Sequence, residues 1–185
     1  TEEDYYKNIF KILWNNDKSV SINKPVRSDV YGICQNGFNI TSCQFSLHYF
    51  FKNMETLDGL LTNVKDNLKT GGYFVGTCLD GQEVFNLLEN SAVQERYIDK
   101  TLVWKITKIY KETTFEANES SVGMAIDVYF ESINQTITEW LVNFEYLKIK
   151  ATEYNLELKS LDSFRDIFKT LPKDNPYGQA NNMGQ

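Results

Sequence analysis

Residues 38–76, FNITSCQFSLHYFFKNMETLDGLLTNVKDNLKTGGYFVG, constrain the fold more than any other stretch. The part 38–45 alternates and is bounded by Gly37, which predicts a buried strand. From Asn53 the apolar positions Met54, Leu57, Leu60, Leu61, Val64 and Leu68 recur at helical spacing. Asn53 is the natural N-cap, Glu55 falls in the first turn, and Gly71 stands just past the expected end. Residues 73–77 read as the next strand. Asp80, with Glu83 three positions on, resembles a capping box opening a helix that carries Val84, Leu87 and Leu88. Two strand–helix units in series imply a parallel sheet, and such sheets bind ligands at the carboxyl ends of their strands.

The flanking segments are less regular. Ile9 to Trp14 is rich in β-formers and predicts a strand ending near Trp14. Residues 15–36 read as a connection with at most a short helix. After about residue 98 the pattern changes: Leu102, Trp104, Ile106 and Tyr110 alternate with polar neighbours, as do Met124, Ile126, Val128 and Phe130, which predicts antiparallel strands with one wet face. Trp140, Phe144, Leu147, Ala151 and Tyr154 form a helical stripe. A short strand at 156–158, a helix with Leu161, Phe164 and Phe168, and a loop-like tail over 172–185 complete the reading.

Composition bounds the possibilities. The 185 residues fit one domain burying roughly 70% of its unfolded surface, and 42% apolar with 24% charged residues is a globular balance. No run approaches the roughly 18 apolar residues of a membrane span, and the acidic start Thr1-Glu2-Glu3-Asp4 is unlike a signal peptide, so the expectation is a soluble, intracellular protein without membrane association. Cys34, Cys43 and Cys78 form neither a CxxC pair nor an even set, which points away from a disulfide framework or a zinc site. The sequons at Asn39, Asn118 and Asn134 read as chance. A net charge of −6 argues against a broad phosphate-gripping surface, so any RNA contact must be local.

Gln44, Phe45, Ser46, His48 and Tyr49 lie where the first strand of the parallel pair ends. An amide, a hydroxyl, an imidazole and a phenol among phenylalanines can stack a flat heterocycle and hydrogen-bond its edge. On pattern alone, a histidine at a strand end is more often a packed core residue. Glu139 alone would be read as a solvated acid at a helix N-terminus, and the Asn15-Asn16-Asp17 run as a solvated turn.

The string SCQF-x-x-HY, followed by a helix and GGYF-x-GT, resembles the messenger-RNA cap guanine-N7 methyltransferases. A second segment, ITEWLVNFEYLKIKATEYNLEL, is similar to their P-E-[FY]-L-V-x-F-x-x-L pattern. The resemblance implies a class I S-adenosylmethionine-dependent methyltransferase fold, Rossmann-like α/β, partial, with an antiparallel strand insertion after the parallel part. It implies that Gln44, Phe45 and Ser46 contact S-adenosylmethionine, and that His48, Tyr49 and Glu139 contact the cap guanine. The two acceptor oxygens of an ionised Glu139 suit the two donors on one guanine edge. GTCLDG stands where many members read GTTPNS, so Leu79 takes the place of a cap-lining proline. ILWNNDKS resembles the strand end whose acid lies near the cofactor adenine, with Asn16 or Asp17 as its equivalent.

The sequence lacks the family's glycine-rich cofactor loop and final strand pair, so the expectation is a single methyltransferase domain over 1–185, truncated at both ends and inactive alone. Three explanations stay open: a partial gene product of an active enzyme, which is preferred; a domain whose missing strands come from another capping-enzyme domain or subunit; or a non-catalytic module binding a partner subunit or capped RNA. An uncovered sheet edge would favour homo-association. The style of GTCLDG, with frequent Asn, Lys and Phe, resembles capping enzymes of large DNA viruses, which implies nuclear or cytoplasmic residence, cytoplasmic if viral.

Overall fold

The computed structural model describes residues 2–20, 22 and 24–170. The chain opens with a helix, α1 (Glu2–Leu13), where a strand is expected over its second half. Helical spacing outweighs β-propensity here. Glu2, Glu3 and Asp4 sit on the positive N-terminal end, Lys11 on the last turn, and Lys7 pairs with Glu3 at 2.6 Å one turn apart. Ile12 is the residue this helix buries. A connection with one 3₁₀ turn at Ser28–Val30 follows, as expected.

Strand β1 (Phe38–Gln44), the short helix α2 (Leu47–Phe50), α3 (Met54–Asn67) and β2 (Leu68–Thr77) form the strand–helix–strand unit. The two strands pair in parallel, Ile40 with Tyr73 through Gln44 with Thr77. Asn53 caps α3 in a reciprocal box with Thr56, its Oδ1 accepting the Thr56 N–H at 2.9 Å. Leu57, Leu60, Leu61 and Val64 form the buried stripe.

Two details of this unit differ from the expectation. Leu68 already has extended backbone, so the helix ends at Asn67, and Gly71 lies inside β2 at φ 78° rather than as a helix stop. It sits where the register with β1 shifts between Phe38 and Ile40, a bulge that only a glycine adopts without strain. β1 is also not the buried strand its pattern suggests. Its single partner is β2, and Phe38, Ile40, Tyr73 and Val75 are exposed among the described residues.

Helix α4 (Gly81–Leu87) is capped by Asp80, whose Oδ1 accepts the Gln82 and Glu83 N–H groups. Gly81 is required there, because a Cβ would stand 2.3 Å from the Val142 carbonyl oxygen. The antiparallel sheet follows in the order β3 (Val93–Ile98), β4 (Thr101–Lys108), β5 (Ala125–Phe130), β6 (Gln135–Trp140), beginning earlier than residue 98. Trp140 therefore ends a strand instead of opening a helix. Helix α5 (Phe144–Thr152) starts at the Asn143 cap, which accepts the Tyr146 N–H and donates to the carbonyls of Phe115 and Glu116. Residues 156–158 form no strand, having no ladder partner among the described residues, and α6 (Phe164–Thr170) is the last helix of the described residues, with Leu161 outside it. The loop-like tail expected from 172 onward lies outside the described residues.

Two buried clusters hold the fold. One joins Leu47, Phe51, Leu57, Leu61 and Val64 to Val142 and Tyr146; the other joins Val84 and Leu88 to Ile106, Met124, Ile126, Val128 and Leu141. The consecutive residues Leu141 and Val142 enter different clusters, so the chain leaving β6 locks the helical layer to the antiparallel sheet. Tyr154 donates to Asp58 at 2.8 Å and Lys150 pairs with it at 3.2 Å, tying the end of α5 and the turn after it to α3.

Candidate functional site

The carboxyl ends of β1 and β2 face the same way because the strands are parallel, and the polar residues singled out in the sequence collect there. Ser46 leads into α2, its hydroxyl donating to the Gln44 carbonyl at 3.0 Å. α2 then places His48 and Tyr49. His48 is buried, while Tyr49 is 40% exposed with its ring centroid 4.2 Å from the imidazole. Leu47, in the same turn, anchors α2 in the first core cluster.

The edge strand β6 lies against α2 and brings Glu139 to the site. Glu139 Oε1 is 3.7 Å from His48 Nε2, too long for a hydrogen bond, and the two side chains are 14% and 9% exposed. Among the described residues, neither imidazole nitrogen has a hydrogen-bond partner. Burial holds the His48 pKa below its usual value, which keeps the ring neutral at pH 7, and raises that of Glu139. Glu139 is thus not the solvated acid that its local sequence suggests. The next residue, Trp140, points to the other face of β6, where its ring meets Tyr49 edge-on at 6.5 Å and lies under the Lys52 ammonium at 5.7 Å. Sequence reasoning missed this role for Trp140 because it placed the residue on a helical stripe.

A second group of contacts lies at the tips of β1 and β2. The Thr77 hydroxyl donates to Gln44 Oε1 at 2.9 Å, and Gln44 Nε2 donates to Ser42 Oγ at 3.0 Å. Phe45 follows with φ 51°, a left-handed backbone that costs a non-glycine residue on the order of 1 kcal/mol. Its ring is 65% exposed and stacks on Phe164 of α6 at 5.9 Å. These groups fit a methyl-donor cofactor in kind: an exposed aromatic face, a fixed amide and a hydroxyl at a parallel strand end. Thr77, read in the sequence as the end of a strand and of the GGYF-x-GT string, and Phe164, read as a helix residue, were given no site role there.

Leu79 and the cysteines complete this end of the fold. Leu79 is 39% exposed between β2 and the Asp80 cap. Cys78, beside it, is a free thiol that burial pushes up to about 12, with the charges of Asp80, Cys43 and Glu139 acting in the same direction. Among the described residues no group of three His, Cys, Asp or Glu side chains is placed to hold a metal, and no helix is long and apolar enough to cross a membrane.

Asn16 and Asp17 are not brought to this end. They follow helix α1 and not a strand, and Trp14 just before them bonds Asn67 at 2.9 Å and packs edge-on against Phe38. Those contacts fix the segment at the amino-terminal end of β1, about 20 Å along the strand from Gln44 at the usual rise per residue. Asp17 Oδ1 accepts from the Ser19 hydroxyl and N–H, which lowers its pKa.

A profile of the mRNA (guanine-N(7))-methyltransferase domain matches residues 8–183. The chain belongs to this family. Among its relatives, a protein named probable mRNA-capping enzyme, of Acanthamoeba polyphaga mimivirus, is 31% identical over 73% of this chain and 12% of its own length. The mRNA cap guanine-N(7) methyltransferase of Candida albicans is 32% identical over 77% of this chain and 31% of its own, and that of Saccharomyces cerevisiae 31% identical over 76% and 33%. The chain thus spans a third or less of the length of these relatives. Family membership accords with the mixed architecture of one parallel and one antiparallel sheet.

Proposed function

We propose that this chain carries the cap-guanine site, and part of the methyl-donor site, of an mRNA guanine-N7 methyltransferase. The observation that carries the reading is the pair His48 and Glu139: a buried imidazole and a half-buried carboxylate 3.7 Å apart, the imidazole without a hydrogen-bond partner among the described residues, beside the exposed Tyr49 ring at the carboxyl end of a parallel strand. Buried polar groups are rarely left unsatisfied, and a flat heterocycle with donors and acceptors on its edge supplies what these lack. The names of the relatives support guanine of the RNA cap as that heterocycle.

The chemistry asks little of these residues beyond placement. S-adenosylmethionine, when bound, supplies an electrophilic methyl group. Guanine N7 carries a lone pair and no proton, so no general base is needed. Glu139 as carboxylate accepts from the guanine N1–H and exocyclic amine, neutral His48 offers one donor and one acceptor, and Tyr49 gives an aromatic wall, with Trp140 behind it on the other face of β6. Together they hold N7 in line for transfer, and orientation of this kind accounts for several kcal/mol of a typical barrier reduction. Gln44, Phe45 and Ser46 line the donor side, and Leu79 contributes an apolar contact where the two sides meet. Asn16 and Asp17 are left out of this assignment by their distance. The exposed row Ile40, Tyr73 and Val75 supports a further partner over the parallel sheet, a capping-enzyme domain, another subunit or a second copy, which sedimentation of the chain alone and with such a partner would test.

The test is calorimetric titration of the chain with a GpppA dinucleotide, and separately with S-adenosylhomocysteine, for the unaltered protein, His48→Ala and Glu139→Ala. Cap binding that both substitutions abolish supports the guanine site. Cap binding unchanged by either removes it, and cap binding without any affinity for S-adenosylhomocysteine favours a cap-binding module.

A further inference from the structure

Thr77 is the side chain through which the tips of the two parallel strands are joined. Its hydroxyl donates to Gln44 Oε1 at 2.9 Å and accepts the Phe45 N–H at 3.0 Å, while its carbonyl accepts the same N–H at 2.9 Å. A hydroxyl has one proton and two lone pairs, so both kinds of bond are made at once. The first helps fix which way the Gln44 amide faces: Oε1 accepts from Thr77, while Nε2 donates to Ser42 Oγ at 3.0 Å and, at 3.5 Å, to the Val75 carbonyl. The second holds Phe45 at φ 51°, a conformation an aromatic residue keeps only where its surroundings impose it.

We propose that Thr77 is a positioning residue for the methyl donor, presenting the Gln44 amide and the Phe45 backbone and ring in one fixed arrangement. The proposal rests on the reading that Gln44 and Phe45 face S-adenosylmethionine. It goes beyond that reading in giving the arrangement a single cause in β2. Without the hydroxyl, Gln44 Oε1 loses its donor and the amide is held only through Nε2, by Ser42 Oγ and the Val75 carbonyl, and Phe45 loses one of the two acceptors of its N–H. The guanine side, held by α2 and β6, does not depend on Thr77.

The experiment compares Thr77→Val, which keeps the shape and removes the hydroxyl, with Thr77→Ser, which keeps the hydroxyl, and with Gln44→Ala. Three quantities are measured: affinity for S-adenosylhomocysteine, affinity for GpppA, and hydrogen exchange at the Phe45 amide. The expected result is a loss of about tenfold in S-adenosylhomocysteine affinity in Thr77→Val, in line with one lost hydrogen bond, faster exchange at Phe45, unchanged GpppA affinity, and recovery of both properties in Thr77→Ser. Thr77→Val with wild-type affinity, while Gln44→Ala is weakened, overturns the proposal and spares the reading beneath it. Wild-type affinity in Gln44→Ala as well, or no S-adenosylhomocysteine binding by the unaltered chain, removes both. Equal loss of cap and cofactor affinity in Thr77→Val, not recovered by serine, marks Thr77 as structural only and also overturns the proposal. Thr77→Ala gives the same comparison should the valine variant fold poorly.

Discussion

Glu139 Oε1 stands 3.7 Å from His48 Nε2 across the boundary between the parallel-strand unit and the antiparallel sheet, and neither imidazole nitrogen is hydrogen-bonded among the described residues. Glu139 comes from an edge strand and His48 from a helix of four residues, so neither element alone could form the pair. The geometry gives each residue a distinct loss on substitution.

Glu139→Gln keeps the size of the side chain but replaces one acceptor oxygen by a donor, which on the proposed assignment faces the guanine donors. Hydrogen bonds to charged groups contribute about 1.5–3 kcal/mol, so GpppA affinity is expected to fall about 10- to 100-fold with the unfolding midpoint little changed. Calorimetry and thermal unfolding on the same preparation check both.

Cap affinity should decline with acidification. Burial raises the Glu139 pKa above its usual 4.5, so protonation, which removes an acceptor, begins at a higher pH than for an exposed glutamate. The measurement is GpppA affinity across pH 7.5 to 5, as an order-of-magnitude window around the usual His and Glu values. Glu139→Gln should lack the portion of the slope due to this carboxyl.

Stability has its own pH dependence with a definite sign. The folded-state pKa of His48 is held below its usual 6.5 by burial, so the unfolded chain binds that proton more readily. The stability its neutral form contributes is present above 6.5 and is lost as pH falls through the lowered value. Glu139, raised by burial, acts the other way: its ionisation lowers stability as pH rises through its raised value. Urea midpoints measured between these ranges should fall less steeply on acidification in His48→Phe than in the unaltered protein.

Much of this arrangement could be read in the chain. Asn53 and Asp80 announce their helices because a capping side chain acts within three residues of itself. The stripe of Leu57, Leu60, Leu61 and Val64 records the burial that selects it. His48 and Tyr49 were legible through a motif. What differed depended on context outside the segment being read. Residues 9–14 have β-formers, but the acidic turn before them and the burial of Ile12 favour a helix. Trp140 continues a helical stripe on paper, yet β5 pairs with it through Ala125 and makes it a strand end. Asn16 and Asp17 fit a local string, whereas the contacts of Trp14 with Asn67 and Phe38 fix that segment at the far end of β1.

Asn143 is 5% exposed and satisfies two carbonyls, of Phe115 and Glu116, and the Tyr146 N–H. Asn143→Ala leaves these groups without their partner, and a destabilisation of about 1–3 kcal/mol is expected. Denaturant unfolding measures it. A loss below a few tenths of a kcal/mol would show that water replaces the side chain without penalty.

Two glycines should respond in opposite directions to the same change. Gly81→Ala drives a Cβ into the Val142 carbonyl and is expected to destabilise strongly, since backbone on both sides must shift. Gly59→Ala, in the exposed interior of α3 with nothing within 4 Å of the added carbon, should stabilise by about 1 kcal/mol. Paired thermal melts decide both signs.

In β6, Glu139 and Trp140 are consecutive and therefore face opposite sides of the strand, one toward His48 and the other toward Tyr49. Because strand side chains alternate with a period of two, adding or deleting one residue in the turn between β5 and β6 would exchange them, swinging the indole inward and the carboxylate out. The proposed guanine site is in that sense a phase-sensitive device: its chemistry is encoded as much in the odd-or-even count of the turn ahead of it as in the identity of the residues assigned to the base.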